Sequence, residues 1–402
     1  MEDVQLVQLV FLGLLMTIGF AAGDYGERFG IPRVVMYIVV GAMFSGDLLG
    51  EIVPVDLGRW SMVLTEIALG IIAFIVGSEL NIQWIRTRGR EVVTGVLGQS
   101  VGTVIIVAAG VWLYLEFFTN YAQAFQIAVV LGAISSATAP AATVAIIEEF
   151  RTTGPLTSML LSIVAIDDAL AIIFFTLAMS FFASSAESNR ILLALWEIGG
   201  AVILATVLGS ILGWYSRRIH EDRLRLPLDL GFLFLIIGTA QVIGLSVLLS
   251  CMVLGFISKL FYRHKTQQWL HPINAIQESI FLIFFTLAGI HFEFNVFAGA
   301  FFFIMFYIFL RSMGKYGGAW AGTKIGGSPA KVSSNVGWGL LPQAGVATGL
   351  ALQIVESGAF PDHSALILNT ILGSTIVFEL ASPFMAKFGL ARAGEIGKST
   401  SS

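Results

Sequence analysis

Thirteen times along this chain an apolar run long enough to cross a bilayer recurs, set off by short polar turns. A spanning helix needs about 20 mostly apolar residues, because lipid offers no partner to exposed backbone N–H and C=O groups. The runs lie near 4–22, 32–50, 60–79, 92–115, 124–147, 156–182 and 191–215, then 227–242, 244–261, 273–291, 295–323, 335–356 and 364–386. Only 12% of the 402 residues are charged, about half the share in a soluble domain. The pattern predicts an all-α polytopic membrane protein of 13 transmembrane helices. It excludes a cytosolic enzyme and, with a formal charge of −4, a nucleic-acid binder. Cys251 is the single cysteine, so no internal disulfide forms.

The basic residues test the count, since cytoplasmic loops collect Lys and Arg. With the N-terminus outside, 18 of the 22 basic residues fall on the inner side and only Arg59 and Arg190 on the outer. The expectation is a multi-pass protein of the cell (inner) membrane with a cytoplasmic C-terminus. Met1-Glu2-Asp3 is acidic where a signal peptide is basic, so the first run reads as a retained helix. The Gly/Ser-rich end, 391–402, reads as a disordered tail.

Two basic residues remain, Arg311 and Lys315, four apart inside the eleventh run and so on one helix face. Asp167 and Asp168 lie inside the sixth run. Charge at bilayer depth is costly and marks ion paths. Adjacent side chains on a helix point about 100° apart, so the two carboxylates have separate tasks. The plain alternative is a buried structural ion pair with Arg311 or Lys315.

The second signal is backbone. Ser135-Ser-Ala-Thr-Ala-Pro-Ala-Ala-Thr143 puts Pro140 inside the fifth run, and Gly337-Trp-Gly-Leu-Leu-Pro-Gln-Ala-Gly345 puts Pro342 among glycines in the twelfth. Proline removes a helical hydrogen bond and clashes with the carbonyl four residues back. Each alone reads equally as an ordinary kink. The two runs lie seven apart, however, and an odd offset means copies inserted in opposite directions. Inverted repeats meeting at two crossed discontinuous helices are a transporter signature. Acid stands one span after the first break, and base one span before the second.

Other features weigh less. Gly314, Gly318 and Gly322 read as a packing stripe, with a broken helix as the natural partner. Glu66, Glu79, Glu197, Glu278 and Glu379 fall in or near spans; Glu79 and Glu278, close to cytoplasmic ends, read as solvated or structural, whereas Glu379 lies on the span that mirrors the Asp span. All five histidines sit in loops or at span ends, and no phosphate-cradling or Ser/His/Asp set occurs. An intramembrane aspartyl protease needs its two Asp on facing helices with a Gly-x-Gly-Asp pattern, which is missing. A sodium-coupled organic-solute symporter shares crossed breaks but not adjacent carboxylates.

The first break, Ala165-Ile-Asp-Asp-Ala-Leu170, Arg311-Ser-Met-Gly-Lys-Tyr-Gly-Gly-Ala-Trp320 and Leu340-Leu-Pro-Gln-Ala-Gly-Val-Ala347 together resemble the monovalent cation:proton antiporter superfamily. The paired Asp resembles its electrogenic bacterial Na+/H+ branch; electroneutral relatives carry Asn-Asp and glutathione-gated potassium relatives Gln-Asp. The likeness implies the Na+/H+ antiporter fold and exchange of Na+ for H+, with K+ in place of Na+ as the alternative. It implies no cofactor and a homodimer in the bilayer. Scaffold helices would occupy 1–90 and 222–293, core helices 91–185 and 294–390, and a linker 186–221. It implies Na+ or H+ at Asp168, and Asp167 paired with Lys315 or, alternatively, Arg311. Many relatives have Thr-Asp-Pro or Ser-Thr-Ala where this chain has Thr-Ala-Pro. Further ligands would then come from Thr138, Ser135, Ser136, freed carbonyls, Gln343 or Glu379.

Overall fold

The computed structural model describes residues 2–46, 58–79, 82–119, 121, 123–139, 143–144, 146–147, 150–183, 190–219, 222–261 and 271–396. Among the described residues there is no strand. The helices are α1 (Glu2–Glu27), α2 (Arg33–Met43), α3 (Gly58–Glu79), α4 (Ile82–Phe118), α5 (Ala124–Ser135), α6 (Pro155–Ala183), α7 (Arg190–Ser216) and α8 (Asp222–Val242). There follow α9 (Val247–Leu260), α10 (His271–Ile290), α11 (Phe294–Gly299), α12 (Phe301–Gly326), α13 (Ala330–Ser333), a 3-10 helix (Val336–Leu340), α14 (Gly345–Ser357) and α15 (Ser364–Ala393). Every one of the thirteen apolar runs carries helix. Among the described residues six helices are by themselves long and apolar enough to cross a membrane, and the bent pair Ala330–Leu340 and Gly345–Ser357 adds a seventh candidate. Large apolar side chains such as Phe302, 80% exposed, suit a lipid surround rather than water.

The chain divides into two compact units, Met1–Leu80 with Met179–Phe294 and Asn81–Ala178 with Asn295–Ser402. In the first, α10 packs on α2 and α3, and α9 on α3 and α7. Arg33 bridges Glu27 (2.7 Å) and Glu278 (3.5 Å), and Tyr37 donates to Glu278. Glu278 is thus half of a structural network. The linker helix of the sequence reading, α7, clusters with this unit.

The second unit opens at Asn81 rather than 91, because α4 is one helix from Ile82. Its spine is the pair α4 and α12. Gly98 faces Gly318 and Gly322, and Gly102 faces Gly314, an order that makes the helices antiparallel. A Cβ on Gly318 would stand 2.3 Å from the Gly98 carbonyl oxygen, so only glycine allows this approach. The stripe does pack, but against the intact α4 rather than a broken helix.

Both breaks expected from the sequence lie in this unit. α5 stops at Ser135, and Ser136–Ala139 is non-helical; Pro140 lies outside the described residues. The second break runs from the 3-10 turn through Leu341–Ala344, and the halves meet at 46°. The chain from 391 is not the disordered tail of the sequence reading as far as it is described. α15 continues to Ala393, and Glu395 is buried. Its carboxylate finds amide donors at the start of α6, which composition alone could not reveal. Residues 397–402 lie outside the described residues.

Candidate functional site

Within the second unit the four charged residues of the sequence reading come together and are buried: Asp167 and Arg311 and Lys315 at 0% exposure, Asp168 at 2%. The helical offset turns the two Asp side chains apart, and their surroundings differ accordingly. Lys315 Nζ lies 2.8 Å from Asp167 Oδ2, 2.8 Å from Gln99 Oε1 and 2.7 Å from Thr138 Oγ1, and it also donates to the Ser136 carbonyl. An ammonium has three protons, so these four protein oxygens more than replace its hydration shell, with at least one proton shared between two of them.

Asp167 is equally well met. One carboxylate oxygen accepts from Gln99 Nε2 and from Ser100 Oγ at 2.9 Å; the other accepts from Lys315 and the Thr138 hydroxyl. Asp168 faces the first break instead, where the Thr138 backbone N–H donates to it at 3.3 Å.

Arg311 serves the broken backbone. Its Nε donates to the Ser135 carbonyl (3.1 Å), Nη1 to Leu341 (2.7 Å), and Nη2 to Ala137 (2.7 Å) and Pro342 (3.3 Å). Phe378 covers the guanidinium at 4.5 Å. The planar fork matches carbonyls from two chain segments, which a point-charge ammonium could not do. The breaks also touch directly: Ala139 N–H donates to the Pro342 carbonyl (3.1 Å), and Thr143 Oγ1 to that of Gly339 (2.9 Å).

The remaining sequence candidates are less involved. The Ser135 and Ser136 hydroxyls turn back to the carbonyls of Gly132 (2.5 Å) and Ala133 (2.8 Å). Gln343 is buried and accepts from Ser374 at 3.3 Å, while its amide nitrogen has no partner among the described residues. Glu379, 5% exposed, lies one residue beyond Phe378, and so about 100° around α15 from the ring that covers Arg311. Among the described residues no group of three or more His, Cys, Asp or Glu is placed to hold a metal. Sequence reasoning missed Gln99 and Ser100. Their signal was a polar pair inside an apolar run, since uncharged polar groups in a span seek interhelical partners.

Taken together, one arginine holds two broken segments, and the adjacent carboxylates of Asp167 and Asp168 lie buried beside them. A structure of the sodium proton antiporter MjNhaP1 from Methanocaldococcus jannaschii at pH 8 superimposes with a TM-score of 0.73 at 18% identity, covering 98% of this chain and 100% of that one. A Na+/H+ antiporter of Enterococcus hirae is 24% identical over 396 residues, 94% of this chain and 97% of that protein. The Na+/H+–K+ antiporter GerN of Bacillus cereus is 24% identical over 388 residues, 94% and 95% of the two chains. A family profile described as the transmembrane sodium/hydrogen exchanger matches residues 13–387, and the chain belongs to that family.

Proposed function

We propose that this protein exchanges Na+ for H+, with Asp168 taking either ion and Lys315 carrying a second proton. The observation that carries the reading is where the two carboxylates stand: Asp167 against Lys315, Asp168 against the first break. Asp167 is committed to Lys315, Gln99, Ser100 and Thr138. Asp168 stands at the first break, beside the Thr138 amide. Na+ is a hard ion that prefers oxygen ligands, and a carboxylate that binds it cannot keep its proton.

Charge counting turns this into a stoichiometry. With Asp167 and Asp168 ionised and Lys315 and Arg311 protonated, the site sums to zero. Na+ binding coupled to loss of the Lys315 proton leaves zero; protonation of Asp168 with Lys315 charged leaves +1. One Na+ then exchanges for two H+, and each cycle moves one charge. The unit Asn81–Ala178 with Asn295–Ser402 would be the core that carries the site from one side to the other. The other unit would be the scaffold on which a homodimer forms, with thirteen crossings, the N-terminus outside and the C-terminus cytoplasmic. The contact of Glu395 with Leu156 supports that count, since it places the loop before α6 and the C-terminal segment on the same side.

K+ in place of Na+ is the second reading, favoured by the similarity to a protein named a Na+/H+–K+ antiporter. Both are tested in proteoliposomes under an imposed pH gradient, with a lumenal pH dye, adding Na+, Li+ or K+ in turn. Cation-dependent collapse of the gradient in wild type and none in Asp168→Asn is expected, and the series names the ion. No cation-dependent signal at any pH would overturn the exchange and point to an organic-solute symporter.

A further inference from the structure

The N-terminal end of α6 is capped by a side chain from elsewhere in the chain. The chain enters through Thr153-Gly154-Pro155; Gly154 has no side chain to accept a first-turn N–H, and the first turn holds no acidic residue. Helix starts leave backbone donors unmet, and a carboxylate there satisfies them while facing the positive end of the helix dipole. Here that carboxylate comes from far along the sequence. Glu395 Oε1 accepts from Leu156 N–H at 2.8 Å, and Oε2 accepts from Thr157 N–H at 2.8 Å and from Thr157 Oγ1 at 2.8 Å. The Thr153 N–H donates to the Glu395 carbonyl at 3.4 Å. Glu395 is 4% exposed, and a Cβ on Gly154 would lie 2.3 Å from its Cδ, so the entry to α6 is shaped around this side chain.

The segment that carries Glu395 is itself anchored. Ile396 packs on the core formed by Leu156, Leu160, Val336 and Leu390. Two turns earlier α15 meets the second break, where a Cβ on Gly389 would lie 2.9 Å from Trp338 Cβ and 3.0 Å from the Asn335 carbonyl oxygen. The end of α15 therefore touches both the start of the Asp helix and the approach to the second break. From Leu156 to Asp168 α6 is continuous, about 18 Å of helix at about 1.5 Å per residue, so its start and its carboxylates shift together.

We propose that Glu395 is a positioning residue for ion exchange: its carboxylate clamps the N-terminal end of α6 and so sets the height at which Asp168 meets the first break. The inference rests on the reading that Asp168 takes the cation. Loss of the clamp lets α6 slide by a fraction of a turn. That weakens cation binding while leaving the exchange chemistry in place.

The test pairs transport with backbone amide exchange in wild type, Glu395→Gln, Glu395→Asp and Asp168→Asn, all full-length in proteoliposomes. Glu395→Gln should raise the cation concentration for half-maximal flux about tenfold, the size of a lost cap, with the maximal rate within about twofold. In the same variant the amides of 155–158 should lose protection. Glu395→Asp, with a shorter reach but the same charge, should give a smaller shift, and it serves if Glu395→Gln does not fold. The proposal is overturned if amide protection survives in Glu395→Gln, or if the amides open and half-saturation does not move. An active Asp168→Asn would instead remove the reading of the ion site, whatever Glu395 does.

Discussion

The two breaks, both inside the second unit, differ in what surrounds them. At the first break, hydroxyl and amide groups face the carboxylates: Thr138 donates through Oγ1 to Asp167 and through its backbone N–H to Asp168. At the second, the carbonyls of Leu341 and Pro342 go to Arg311, and the one polar side chain, Gln343, accepts from Ser374 rather than facing a carboxylate. On the proposed reading the first break handles the ion and the second holds the backbone in register. Both need a cation to quieten their freed carbonyls, and a single guanidinium supplies it to both. The two breaks thus share one guanidinium while differing in the chemistry of their surroundings.

That division of labour can be broken from either side. The largest effect is expected for Arg311→Ala, which strips a donor group from four buried carbonyls at once. Each carbonyl left unmet costs about 1–3 kcal/mol, so the thermal midpoint of purified protein should collapse, and Arg311→Lys should recover only part because it cannot fork. Next is Lys315→Gln, which should abolish or strongly reduce the dependence of flux on membrane potential in valinomycin-clamped liposomes. Full retention would remove Lys315 as a proton carrier. Thr138→Val keeps the shape and deletes the hydroxyl between Lys315 and Asp167; cation affinity should fall about tenfold, equal to about 1.4 kcal/mol. Smallest is Gln343→Ala, at the second break, expected to shift half-saturation by no more than about twofold, the worth of one neutral hydrogen bond. A Gln343→Ala effect as large as that of Thr138→Val would erase the distinction between the breaks.

Much of this was legible without coordinates, because membrane depth makes charge and broken backbone conspicuous. Asp167, Asp168, Arg311 and Lys315 announce themselves by their cost in an apolar run, and the two Pro-containing segments by their interruption of helix. Which acid faces which base was less accessible, since Arg311 and Lys315 share a helix face and only the path of the surrounding backbone separates carbonyl contacts from a carboxylate contact. Gln99 was missed because an uncharged amide in a span is common, and its role depends on Asp167, 68 residues away. Glu395 was missed for a different reason: Gly and Ser around it signal looseness, while the feature that orders it is the helix start it caps elsewhere in the chain. Local composition reports what a segment can do alone, and both residues act through distant partners.

The contact between α4 and α12 has a mechanical meaning. Where Gly98 and Gly102 meet Gly318 and Gly322 the helices lie backbone to backbone, with no layer of rotatable side chains there to absorb shear. Gln99 rides on one and Lys315 on the other, so the 2.8 Å separation between their side-chain atoms is guarded by a stiff joint. Whatever displacement the second unit undergoes, these two helices travel as a single beam, and the electrostatic partnership of Lys315 with Gln99 travels unstretched.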